Sequence, residues 1–129
     1  GEVTVPIDMD LQYGIKLDTV NGTEADADNY SASPMIGVEN ASYTVGIITA
    51  NYAHVSICCY DESGNYIGCL EKIIQGPSDD NYISMETEFT PLDGTSYIRF
   101  RCRTPVTGSN VPVEVVLDRF WATKTFDVE

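Results

Sequence analysis

At 129 residues the chain is read as one domain, residues 1–129, long enough to bury somewhat under ~70% of the surface its unfolded form exposes. Its net charge of −13 comes from twenty Asp plus Glu against seven Lys plus Arg, and it disfavours nucleic acid and anionic membrane, which both need a positive surface. No apolar run approaches the ~20 residues that cross a bilayer, so membrane insertion is not expected.

In chain order, Val3-Thr4-Val5-Pro6-Ile7 alternates and predicts a first strand, which Pro6 assigns to a sheet edge. Asp8 to Asp28, rich in Gly, Asn, Asp and Thr, reads as an opening strand followed by a long loop. Ala32 to Val38 is a short strand broken by Pro34, Glu39-Asn40-Ala41 a turn, and Ser42 to Thr49 a strand with Tyr43, Val45 and Ile47 on one face. Ala53 to Tyr60 and Tyr66 to Ile74 form a hairpin about the turn residues Asp61-Glu62-Ser63-Gly64-Asn65. Gln75 to Asn81 is a polar loop, Ile83 to Thr90 a strand, and Pro91 to Thr95 a turn. Thr104 to Asn110 is a loop, and Val111 to Thr123 closes the domain. No segment carries an apolar period of 3.6 over three turns. Eight or nine short strands separated by turn residues predict an all-β fold, an antiparallel sandwich or barrel.

Tyr97-Ile98-Arg99-Phe100-Arg101-Cys102-Arg103 is the most regular strand. Period two puts Ile98, Phe100 and Cys102 on one face and Tyr97, Arg99, Arg101 and Arg103 on the other. Much of a scarce positive charge is thereby gathered in one place. The four cysteines, Cys58, Cys59, Cys69 and Cys102, lack CxxC spacing, and His54 is the one histidine, so a zinc site is not expected. A tight turn at 62–65 sets Cys58 opposite Cys69, as a disulfide or as buried free thiols, the second being preferred. Asn21, Asn29 and Asn40 open Asn-x-Ser/Thr sequons. The sequence opens on Gly1 without a signal peptide, and removal of a leader or preceding domain is compatible with that start.

Tyr30-Ser31-Ala32-Ser33, Ile36, Val38, Tyr43, Tyr60-Asp61, Gly64-Asn65-Tyr66-Ile67, Phe89-Thr90-Pro91 and Tyr97-Ile98-Arg99-Phe100 together resemble jelly-roll domains of phage tail and fibre proteins. Val115-Val116-Leu117-Asp118-Arg119-Phe120 resembles the last strand of galactose-binding-like carbohydrate-binding modules. The resemblance spans about residues 13 to 122, and its motifs are short and mostly structural. It implies an antiparallel β-sandwich of jelly-roll type that binds glycan without catalysis. The parent would be a larger phage tail or fibre protein, or a bacterial surface or secreted protein, located outside the cell, at its surface or on a virion. The family often holds a structural calcium, for which Asp8, Asp10, Asp18 and Asp118 stand in position, Asp10 and Asp118 foremost.

An enzymatic function is not expected, because no nucleophile elbow, phosphate-binding glycine loop or HExxH is present. A glycan binder needs an aromatic platform and polar grips. Tyr52, Tyr60, Tyr66 and Trp121 lie where strands end, although Trp121 in a terminal strand also suits core packing, and Tyr30 and Tyr43 read as structural. Arg99 and Arg101 suit an acidic sugar, since Arg pairs bidentately with carboxylate and phosphate. The plainer expectation is that Glu86, Glu88 and Glu114 neutralise them across strands. The glycan-binding candidates are therefore Trp121, Tyr60, Arg99 and Arg101, with polysaccharide or cell-surface glycan as partner. The alternative is a structural fibre domain, forming a homotrimer or part of a larger chain, with no ligand of its own.

Overall fold

The computed structural model describes residues 1–49, 52–75, 83–103 and 119–128. Among them are ten strands and no helix: β1 (Glu2–Ile7), β2 (Gln12–Leu17), β3 (Glu24–Ala32), β4 (Ile36–Gly37), β5 (Ser42–Thr49), β6 (Tyr52–Tyr60), β7 (Tyr66–Gln75), β8 (Ile83–Phe89), β9 (Tyr97–Arg103) and β10 (Phe120–Asp127). They form two antiparallel sheets. The first has the order β1-β10-β5-β8, the second β2-β3-β9-β6-β7, with β4 also paired to β9. The all-β antiparallel sandwich expected from the sequence is the fold. Its pairings nest: β1 with β10, β3 with β9, β5 with β8, β6 with β7. Such nesting is a long hairpin folded over on itself, the arrangement a jelly roll requires. Pro6 sits in β1, an edge strand, where its missing N–H leaves no gap inside a ladder.

The core fills the space between the sheets. Val45 and Ile47 of β5, Val55 and Ile57 of β6, and Ile98, Phe100 and Cys102 of β9 are all buried there, as their period-two spacing predicts. Phe100 meets Phe89 edge-on at 5.9 Å, and Phe89 stacks on Tyr43 at 5.3 Å. The Tyr43 hydroxyl accepts the Glu39 N–H at 2.8 Å and donates to the Glu39 carbonyl at 3.2 Å, closing the Glu39–Ala41 turn. Cys58 and Cys69 lie opposite each other in the β6–β7 register, and all four cysteines are free thiols.

Two segments differ from the sequence reading. Asp18 to Asp28 is not one long loop: Glu24 to Ala32 forms β3, whose backbone pairs with β2 on one side and β9 on the other. Backbone pairing carries this strand in spite of its Asp and Asn content. The final described strand runs on to Asp127, whereas Val111 to Asp118, read as its beginning, lies outside the described residues.

Between β3 and β4 the chain steps off the edge of β9 at Ser33-Pro34-Met35. Ser33 bridges that step. Its N–H donates to the Phe100 carbonyl at 3.0 Å, and its hydroxyl accepts the Phe100 N–H at 2.7 Å while donating to the Pro34 carbonyl at 2.9 Å. A side chain thus replaces the ladder partner that the step removes. Ser33→Ala leaves the Phe100 N–H unpaired in the core. Urea unfolding should show a loss of about 1–3 kcal/mol, and an unchanged midpoint would show that the hydroxyl does not carry this bond.

Candidate functional site

The outward face of β9 carries Tyr97, Arg99, Arg101 and Arg103. Their cross-strand neighbours follow from the register. On β6 they are Tyr60, Cys58, Ser56 and His54; on the other edge Gly37 opposes Tyr97, Ala32 opposes Arg101 and Tyr30 opposes Arg103. No acid stands among them. Glu86 and Glu88, expected to neutralise these arginines, belong to β8, which pairs with β5 in the other sheet. Glu114 lies outside the described residues. The nested pairing sends β8 away from β9, although the two strands are consecutive, and that corrects the expectation.

A roof over this face comes instead from the β2–β3 hairpin. Its turn folds across the sheet toward β7. The Tyr60 hydroxyl donates to the Gly22 carbonyl at 2.8 Å, and the Tyr66 hydroxyl to the Thr19 carbonyl at 2.5 Å. Leu17, Ala32, Cys58 and Tyr60 form a small second core beneath it. Gly22 has φ +74°, and a methyl there would collide with the Tyr66 ring. Glycine is what lets the turn lie flat on the aromatic pair. The bend upstream coincides with a register shift between Tyr13 and Ile15, beside Gly14 at φ 91° and close to Asn29 at φ 67°.

Two recesses border the hairpin among the described residues. One, of about 350 Å³, is lined by Asp10, Gln12, Glu24, Ser33 and Arg99 among others. Here Arg99 is held: Nη2 contacts Glu24 Oε1 at 2.5 Å, Nε donates to the Ser33 carbonyl at 2.8 Å, and its side chain keeps 14% of its exposure. The other, of about 300 Å³, is lined by Lys16, Asp18, Thr19, Ala25 and Arg101. Lys16 Nζ lies 4.7 Å and Arg101 Cζ 4.9 Å from the centre of the Tyr30 ring. Arg101 Nη1 reaches Ser56 Oγ at 3.3 Å, and its buried Nε has no partner among the described residues.

The four residues chosen from sequence do not form one site. Tyr60, expected at an exposed strand end, is 4% exposed, edge-on to Tyr66 and bonded to Gly22, so it offers no ring to a ligand. Trp121 pairs with Gly46 on the outward face of the first sheet, its indole lying over that glycine, on the far side of the sandwich from the arginines. Arg99 and Arg101 do share a face, one fixed by Glu24 and the other without an acidic partner among the described residues. The side chain of Tyr52 lies outside the described residues. Sequence reading missed Lys16 and Glu24 and set Tyr30 aside as structural. Tyr97, 38% exposed, is the open aromatic beside Arg99 on β9.

For calcium, the described residues hold no group of three or more His, Cys, Asp or Glu arranged for a metal. Asp118 lies outside them. Asp8 Oδ1 accepts the Asp10 N–H at 3.0 Å, and Asp18 Oδ1 accepts those of Val20 at 2.7 Å and Asn21 at 3.3 Å, so both carboxylates shape their own turns. Asp10 lines the Arg99 recess together with Glu24, whose carboxylate is paired with Arg99.

Burial pushes the Tyr60 hydroxyl from its ordinary 10 to about 12, with the adjacent Cys58 thiol adding to the rise and Arg99 opposing it. Burial likewise raises Cys58 from 9.0 to about 12 and moves Tyr66 and Cys102 upward. All four groups keep their protons longer in the folded chain than in the unfolded one. Their contribution to stability is therefore complete below about pH 9, and it is lost as pH climbs toward 12. Thermal melts between pH 8 and 12 should fall across that window, with absorbance at 295 nm showing two tyrosines that ionise late. A flat melting temperature through pH 11 would contradict the buried latch.

Comparison with protein-family models, with curated proteins and with solved structures found no match.

Proposed function

We propose that the chain is a non-catalytic glycan-binding module that recognises acidic saccharides for adhesion or targeting. Its parent would be a phage tail or fibre protein, or a bacterial surface protein, working outside the cell or on a virion. The observation that carries this reading is the setting of Arg101 and Arg103. Both project from the outward face of β9 opposite uncharged residues or His54, in a chain of net charge −13. Evenly dispersed charge would give most arginines an acid. A cluster with no acid directly across the strand, among the described residues, suits an anionic ligand. Tyr97 supplies a ring face for C–H stacking at the Arg99 end of the strand, and the Arg99–Glu24 pair offers donors and acceptors to hydroxyls. The sequence resemblance to carbohydrate-binding modules and to phage fibre domains points the same way.

A second reading, a fibre domain that self-associates, draws on the opposite face of the sandwich. Trp121 lies there with Ile48, 40% exposed, while Glu86 and Glu88 on the same face oppose close approach. A glycan array probed with the purified chain, with and without calcium, separates the two. Acidic glycans should bind, and Arg101→Ala with Arg103→Ala should weaken binding at least about tenfold while the melting profile stays cooperative. A well-folded chain that binds no glycan, and whose solution mass is a trimer, would favour the fibre reading.

A further inference from the structure

We infer that the recess between Lys16 and Arg101 is an oxyanion subsite, which takes the carboxylate of a uronic or sialic acid residue or the phosphate of a phosphorylated glycan. This inference rests on the glycan-binding reading and assigns its charge-recognising position. It places that position away from Arg99, one of the two arginines that sequence alone had nominated.

The two recesses differ in their electrostatics. At the Arg99 end the guanidinium already has a carboxylate, Glu24, and a backbone carbonyl, Ser33. An incoming anion there would have to displace Glu24. At the Arg101 end two cations share one ring: Lys16 and Arg101 both lie within 5 Å of the Tyr30 centre. The ring quadrupole holds each of them, but it does not cancel their mutual repulsion. The acid in this recess, Asp18, already spends Oδ1 on the N–H groups of Val20 and Asn21. Counting Asp18 in full, the recess still carries a surplus positive charge.

Hydrogen-bonding capacity points the same way. Guanidinium has five N–H donors. In Arg101 the one protein bond among the described residues is the 3.3 Å contact to Ser56, and Nε is buried without a partner. A buried N–H on a half-buried cation is costly unless something accepts from it. An oxyanion in the recess would accept from the guanidinium and from Lys16 Nζ together. Charge-assisted bonds of this kind are short and strong. The volume, about 300 Å³, lies at the lower end of small-ligand sites, which suits one acidic sugar residue and not a longer stretch of chain.

The test is an NMR titration of the intact chain with sodium glucuronate and with inorganic phosphate, glucose serving as the neutral control. The inference expects glucuronate or phosphate, but not glucose, to shift the amides of Lys16, Ala25 and Arg101 before others. Whichever anion binds tighter identifies the source of the charge. Lys16→Gln should weaken that binding at least about tenfold, and Lys16→Arg should keep it. Lys16 is partly exposed, so both variants are expected to fold, and their amide dispersion verifies it. Equal binding by Lys16→Gln, or shifts centred elsewhere, overturns the inference. Neutral glycans that bind the Lys16→Gln chain as well as the parent would leave the glycan module standing without its oxyanion subsite. Glucuronate held in the recess by a chain that binds no glycan would leave the subsite standing and remove the module.

Discussion

β9 lies inside the second sheet, with β6 along one edge and β3 and β4 along the other, and its outward face is open at Tyr97 and half-buried at the arginines. The inward side chains, Ile98, Phe100 and Cys102, are buried against the first sheet. The outward side chains are partly covered by a hairpin from the start of the chain. A strand enclosed in this way can carry three arginines only if each has its charge met or remains within reach of solvent. Arg99 meets Glu24. Arg101 lies against Tyr30 and the rim of a recess.

The hairpin decides what that outward face becomes. Without it the second sheet would present a half-apolar surface of Cys58, Tyr60, Tyr66 and Ala32. Folded over, it buries a second core and divides the arginine row into two recesses of different charge. Its hold depends on contacts distant in sequence. Tyr60 and Gly22 are 38 residues apart, Tyr66 and Thr19 are 47 apart, and Arg99 and Glu24 are 75 apart. Contacts of this range form only when the sheet beneath is in register. The recesses therefore depend on the completed sandwich and are not a property of the hairpin alone.

This long reach explains what could be read from sequence. Period two in Tyr97–Arg103 and in Ser42–Thr49 gave strands, faces and core residues, because alternation is local. The tight turn at 61–65 gave the Cys58–Cys69 register for the same reason. β3 was hidden because Glu24-Ala25-Asp26-Ala27-Asp28-Asn29 alternates acids with nothing larger than alanine up to Asp28, and none of these side chains favours a strand. Glu86 and Glu88 were placed on the right kind of element but beside the wrong neighbour, since alternation assigns a strand's faces and not its sheet. Tyr60 sits at the end of β6, and only a roof from elsewhere in the chain could show it to be buried. Lys16 and Tyr30 meet through bends near Gly14 and Asn29, and a register shift has no signature in composition.

The charge of the whole chain sets a condition on its partner. An acidic ligand approaching a surface of net charge −13 is repelled at long range, in contrast to steered association. That repulsion is screened beyond about 8 Å at physiological ionic strength, while contacts inside a part-buried recess are screened much less. Under the proposed oxyanion reading, salt would act in opposite directions on the two stages of binding. It eases approach by damping the global field, and it only partly weakens the grip of Lys16 and Arg101. A basic surface would instead collect any polyanion from a distance and lose it as salt rises. On the proposed reading, placing Lys16 and Arg101 in one recess of an acidic protein trades that reach for selectivity: a polyanion is repelled by the surface at large, and an anionic group that fits the recess meets positive charge.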